Sequence, residues 1–140
     1  MKILTTISAT TVGGRDGSGS SSDGKMNIEF ALPKELGGAG KEGVTPEHLF
    51  ALGYSACFGS ALQYVAGQKK QRLSPEFSVT AQVDLCTNDA GGFALQVELK
   101  VDLPGIEHSE AESLVVAAHT VCPYSNAIKG NVPVKLTVTT

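Results

Sequence analysis

Three cysteines are present, and two of them sit where a thiol could react. Cys57 lies inside the uncharged run from Leu49 to Ala66, with Gly53, Tyr54, Ser60, Ala61 and Tyr64 on neighbouring turns of the same side if that run is helical. A buried cysteine is ordinarily just a small hydrophobe. A thiol in mid-helix also gains nothing from a helix N-terminus, so it becomes a nucleophilic thiolate only beside a cation. The chain has two arginines, Arg15 and Arg72. Arg15, in the glycine-flanked segment GGRDG, is the natural candidate, set against the plainer reading of a solvated turn arginine. Cys122 ends the segment HTVC, where Pro123 forces the residue before it out of the helical conformation. That break predicts a position more accessible than mid-helix, suited to a thiol that moves slightly to reach another. Cys86 falls on the polar face of an alternating strand.

Other chemistries fit these residues less well. His119, three residues before Cys122, makes a conceivable metal pair, but two ligands without companions fall short of a four-ligand site, and no metal is expected. A cysteine hydrolase built on Cys57 and His119 requires a base hydrogen-bonded to the sulfur. His119 reads more simply as a satisfied helix histidine, and His48 and His108 attract no special reading. The segment GGAGKEG superficially suggests a phosphate loop, yet it lacks the Ser or Thr after Lys41 and the required glycine spacing. A net charge of -3 leaves no basic stripe for nucleic acid. The start MKILTTISATT does not read as a signal peptide, so a cytoplasmic location is expected. Three cysteines in a reducing compartment argue against a structural disulfide framework and leave redox or nucleophilic chemistry open.

The element that must position Cys57 is a helix from Thr45 to about Gly67. Thr45 can cap it, Pro46 suits its first position, and Glu47 favours its positive end. With only Ser55, Ser60 and Gln63 clearly polar between Leu49 and Ala66, it should be buried nearly all round. Its length also meets the minimum for a membrane span. Small residues and the absence of a basic flank favour a central helix approached closely by another backbone, with a second copy of the chain as neighbour.

Around that helix the pattern predicts a strand over residues 2–12, a flexible loop from Gly13 to Gly24, and a second strand in MNIEFAL. Residues 77–85 and 93–103 alternate apolar with polar side chains across the turn TNDAGG and predict a hairpin. Ser109 and Glu112 have capping-box spacing for a second helix that ends at Cys122. The segment NVPVKLTVTT predicts an edge strand. One domain of the α+β class, covering residues 1–140, is expected.

Four segments taken together, GGRDG, PKELGGAG, TPEHLFALGYSACF and AAHTVCPYSNAIKGNV, resemble the organic hydroperoxide resistance proteins, the peroxidase branch of the osmotically inducible protein C superfamily. The resemblance covers nearly the whole chain and is carried most specifically by the paired blocks YSACF and VCPYSNA. It implies an intertwined homodimer acting, without metal, haem, flavin or other bound cofactor, as a thiol peroxidase on organic hydroperoxides in oxidative stress defence. Cys57 would be the peroxidatic cysteine and Cys122 the resolving cysteine, joined as a disulfide during turnover. Arg15 would stabilise the thiolate, and Glu47 would orient Arg15. The reductant would be an external dithiol, the lipoyl group of a lipoylated protein served by a dihydrolipoamide reductase system. Leu49, Phe50, Phe58, Leu62 and Tyr64 are expected to line the substrate site. The competing classes are a cysteine hydrolase and a non-catalytic, stress-associated binding protein of the same superfamily.

Ten residues separate Glu47 from Cys57, about 15 Å along one continuous helix, too far for both to meet one guanidinium. A bend, or a helix start after Glu47, would shorten that distance. Two copies packed about a two-fold axis solve it better, by bringing Glu47 of one chain toward Cys57 of the other.

Overall fold

A computed structural model describes residues 1–140. The chain divides into two compact units, Met1–Leu49 and Phe50–Thr140, with the division falling near the start of the long helix.

In the first unit a three-stranded antiparallel sheet runs in the order β1 (Ala9–Val12), β2 (Ser18–Ser21), β3 (Asn27–Glu29). The predicted first strand is therefore shorter than expected. Residues 1–8 form no strand and are exposed, although the Ser22 N–H donates to the Ser8 carbonyl at 2.8 Å. The expected loop Gly13–Gly24 instead folds back as a tight turn plus β2. A short 3-10 turn, Gly14–Asp16, carries Arg15, with Gly13 in the left-handed region at φ 83°. Gly17 must be glycine, since a Cβ there would lie 1.7 Å from the Val12 carbonyl oxygen. Every residue of β1 is exposed, and the unit buries only Phe30 and Ala31, so this sheet has almost no core of its own.

The long helix α1 runs from Pro46 to Gln68. His48, passed over as unremarkable in the sequence, accepts the Thr45 backbone N–H on Nδ1 at 3.0 Å and lies 2.9 Å from the Thr45 hydroxyl. It plays the part that Glu or Gln takes in a capping box. The helix begins before Glu47 and is uninterrupted through Cys57, so neither shortcut between those residues is realised.

In the second unit β4 (Ser78–Thr87) and β5 (Phe93–Asp102) form the expected hairpin, and β6 (Val134–Thr139) pairs parallel to β5 at the sheet edge. The register sets apolar residues in rows across all three strands: Val79, Val101 and Val138, then Ala81, Leu99 and Leu136, then Val83, Val97 and Val134. This face shares one core with Tyr54, Phe58, Leu62 and Val65 of α1 and Leu114, Val115 and Ala118 of α2 (His108–Val121). The cap of α2 is Glu107 rather than the expected Ser109. Its carboxylate accepts both the Glu110 N–H and the Ser109 hydroxyl, a nearer solution than the Ser109–Glu112 box.

The helix breaks at Cys122 as predicted, with extended backbone at φ −65°, ψ 123°. The chain then turns directly into a further short helix, α3 (Pro123–Ile128), with Pro123 as its first residue. A proline that stops one helix has the φ that starts the next.

The expectation that α1 is covered nearly all round fails in the single chain. The helix is long and apolar enough to cross a membrane, but one side is buried in the core just described. Its other side is bare at Leu52, Ala56, Ser60 and Gln63, with Tyr64 beside them; Leu52 is 69% and Tyr64 60% exposed. One sheet and one helix can cover only part of a cylinder, and this stripe repeats at helical spacing.

Candidate active site

Two polar constellations stand out, one in each unit. In the first, the Arg15 guanidinium donates twice to the Glu47 carboxylate, Nη1 to Oε2 at 2.9 Å and Nη2 to Oε1 at 2.6 Å. This fork-to-carboxylate geometry is the strongest form of the pair. The hydrogen bond from Arg15 is the largest influence holding Glu47 down, from an ordinary 4.5 to about 2; the Thr45 hydroxyl helps and partial burial opposes. Glu47 in turn makes the guanidinium harder to deprotonate. Lys41 braces the Arg15 turn by donating to the Asp16 carbonyl at 3.1 Å.

In the second unit, Cys57 and Cys122 meet. Both are free thiols, with their sulfurs 3.6 Å apart. A disulfide needs S–S of about 2.05 Å, so the pair is reduced but in contact, about 1.5 Å from bonding distance. Their exposure reverses the expectation from sequence. Mid-helix Cys57 is half-buried, while Cys122 at the break has no exposed surface, because the turn into α3 tucks its side chain beneath α1 and α2.

The Cys57 thiol is pushed up chiefly by burial and further by Cys122, while the nearby backbone N–H of Tyr124 acts in the opposite direction. Tyr124 can approach because Gly53 has no side chain; a Cβ there would lie 2.9 Å from the Tyr124 hydroxyl oxygen. The Tyr124 ring packs with Phe50 and Tyr54 at centroid distances of 6.3 and 6.0 Å.

Behind the sulfurs runs a buried hydrogen-bonded chain that the sequence did not reveal. The Tyr54 hydroxyl and the Ser125 Oγ are 2.8 Å apart, and Ser125 Oγ is 2.9 Å from His119 Nδ1. Burial, reinforced by Lys129, holds His119 below its ordinary pKa and hence neutral at pH 7. One proton arrangement leaves every group paired: Tyr54 donates to Ser125, and Ser125 donates to His119 Nδ1. His119 is thus the satisfied helix histidine expected, and it is not the base of Cys57. Only the spacing of Tyr54 and Ser125, three residues from a cysteine on either helix, could have flagged them.

A depression of about 430 Å³ opens over Cys57, lined by Ser60, Ala61, Tyr64, Val121 and Pro123. Of the residues expected to line a substrate site, only Tyr64 does so here. Phe58 and Leu62 are wholly buried in the core, where α1 turns them toward the sheet. Phe50 packs on Tyr54 and Tyr124, and Leu49 is half-buried in the first unit. Cys86 lies in β4 opposite Ala94, its sulfur 3.8 Å from the Asp84 carbonyl oxygen.

Residues 38–137 match the family model described as OsmC-like protein. An organic hydroperoxide resistance protein of Xanthomonas axonopodis pv. citri is 47% identical over 98% of this chain and 96% of its own length. The organic hydroperoxide resistance protein OhrB of Bacillus subtilis is 42% identical over 95% of this chain and 96% of its own. The crystal structure of an organic hydroperoxide resistance protein from Legionella pneumophila superposes with a TM-score of 0.94 at 47% identity, covering 99% of this chain and 100% of that one.

Proposed function

The chain belongs to the OsmC-like protein family, and on that premise we propose that it is a cysteine-based peroxidase that reduces organic hydroperoxides to alcohols in oxidative stress defence. The observation that carries this reading is the free thiol pair, one sulfur facing an apolar depression and the other buried 3.6 Å behind it. The names of the relatives supply the substrate class.

The Cys57 thiolate attacks the distal peroxide oxygen. The O–O bond breaks, the alkoxide takes a proton and leaves as alcohol, and Cys57 becomes a sulfenic acid. Cys122 then attacks the Cys57 sulfur, the S–O bond breaks, and the proton lost by Cys122 leaves with the hydroxide as water. An external dithiol, the lipoyl group of a lipoylated protein, reduces the disulfide and is itself oxidised. No metal or bound cofactor takes part, and the reaction runs in the cytoplasm.

Thiolate formation needs a cation, because burial and Cys122 both oppose it. Arg15, fixed by Glu47, supplies that charge in this reading and stabilises the charge developing on the peroxide. The chain works as an intertwined homodimer, with the Arg15–Glu47 pair of one copy serving Cys57 of the other. Two features support a second copy: the bare apolar stripe of α1 and the nearly coreless first sheet, in which Val12 lies exposed and beside which Ile3, Leu4 and Ile7 do too. The hydrogen-bonding partner of the Cys57 sulfur is a second thiol and not a base, which favours a peroxidase over a hydrolase.

The test is peroxide consumption combined with thiol counting. One equivalent of an alkyl hydroperoxide should consume two thiols and leave a Cys57–Cys122 link by peptide mapping. Cys57→Ser should abolish consumption, Cys122→Ser should allow a single oxidation, and Cys86→Ser should be silent. An alkyl hydroperoxide should outpace hydrogen peroxide, since each apolar Å² covered contributes up to about 25 cal/mol. A link to Cys86, or unreactive thiols throughout, overturns the proposal.

A further inference from the structure

Ser125 is buried, 3% exposed, and the thiol chemistry above makes no use of it. A hydroxyl buried without partners is destabilising, yet this one is bonded on both sides. Its partners follow a pattern. Tyr54 lies three residues before Cys57 on α1, His119 three residues before Cys122 on α2, and Ser125 three residues after Cys122 on α3. In a helix that spacing places each group one turn from the cysteine on its own side. The break at Cys122 removes helical continuity between α2 and α3, so something else must fix their mutual angle.

We infer that Ser125 is the positioning residue of the disulfide-forming step: by joining Tyr54 to His119 it locks three helices around the two sulfurs and holds Cys122 on course toward Cys57. The inference rests on the peroxidase reading and extends it. In the step concerned, Cys122 attacks the sulfenic sulfur of Cys57, the S–O bond breaks, and water leaves with the proton Cys122 gives up. Only about 1.5 Å of approach is needed, and its direction matters, because disulfide bonding tolerates a narrow dihedral range. Effective concentration, rather than intrinsic thiol reactivity, is what the Ser125 junction raises. The first oxidation is spared, since the depression over Cys57 is lined by Ser60, Ala61, Tyr64, Val121 and Pro123 and includes no member of the Tyr54–Ser125–His119 chain.

The decisive comparison is Ser125→Thr against Ser125→Val, two side chains of one shape that differ in the hydroxyl, with Ser125→Ala and Tyr54→Phe as smaller perturbations. The reduced protein is mixed with one equivalent of an alkyl hydroperoxide. Sulfenic acid at Cys57 is followed by a dimedone-type trap, disulfide by mass, and the dithiol potential by equilibration with a thiol buffer. Ser125→Val, Ser125→Ala and Tyr54→Phe should form sulfenic acid within about threefold of the wild-type rate but close the disulfide about tenfold more slowly. Their potential should become less negative by about 30 mV for each tenfold loss of effective concentration. Ser125→Thr should close faster than Ser125→Val. Equal closure by Thr and Val, or wild-type closure and potential in Ser125→Ala and Tyr54→Phe, overturns the inference and leaves the peroxidase reading intact. A wild type that forms no Cys57–Cys122 disulfide overturns both.

Discussion

Replacing Glu47 by Gln keeps the shape of the carboxylate and removes its charge, which isolates the electrostatic part of the Arg15 fork. Glu47 is held from 4.5 down to about 2, with the Arg15 hydrogen bond as the leading cause. At about 1.4 kcal/mol per pH unit, that difference sets a ceiling of about 3 kcal/mol. The Glu47 side chain is 17% exposed, but that of Arg15 is 38% exposed, and solvent screening of such a pair brings the expected loss to about 1–2 kcal/mol. The sign with pH follows from the depressed value. The folded protein binds the Glu47 proton less readily than the unfolded chain, so the contribution is fully present above about 4.5 and is lost as pH falls through about 2. Urea unfolding of wild type and Glu47→Gln, at one protein concentration and stepped downward from pH 8, should show a constant gap to about pH 5.5 that narrows below 4.5. Identical stability at pH 7, or a gap that persists unchanged to pH 3, would refute this account of the pair.

Three further outcomes are expected. The His119 imidazole should titrate below 6.5 by NMR, because burial and Lys129 both disfavour its charge; its neutral form adds stability above 6.5 that disappears as the pH drops through the lowered value, and a midpoint above 6.5 would contradict this. Gly53→Ala should gain about 1 kcal/mol of helix propensity and return a similar amount in displacing the Tyr124 ring, leaving urea stability little changed. Its Cys57 should nevertheless alkylate more slowly at neutral pH, as displacing Tyr124 weakens the lowering influence of its backbone on the thiol, and unchanged alkylation would count against that influence. Mixed chains of Cys57→Ser and Glu47→Ala, each inactive alone, should recover activity once heterodimers form, and verified heterodimers without activity would show that the site is not shared.

The elements legible in the sequence were those whose signals are local and strong. Alternation from Phe77 to Leu103 marked the hairpin, Pro46 marked the start of α1, and Pro123 marked the end of α2. What escaped was set by backbone or by tertiary packing. β2 is Ser-Gly-Ser-Ser, held by its ladder to β1 and β3, with no apolar alternation to betray it. α3 is too short for any periodicity, and its proline reads equally as a stop. The thiols were legible as a pair of motifs, but their relative burial was not, because Cys122 owes its cover to the unforeseen α3. His48, Tyr54 and Ser125 carry no chemical signature until the chain has brought their partners together.

Two sulfurs already in contact also set a clock. When an oxidised thiol must wait for a helix to unwind before its partner arrives, the intermediate lives long enough to meet a second oxidant molecule and pass to sulfinic acid, a form the usual thiol reductants cannot restore. Here the approach is shorter than a bond length and asks for no local unfolding. Overoxidation must therefore compete with a small side-chain movement, and the advantage lies with closure. On the proposed cycle, inactivation by excess hydroperoxide should be rare per turnover, and a long-lived sulfenic signal would be foreign to this geometry.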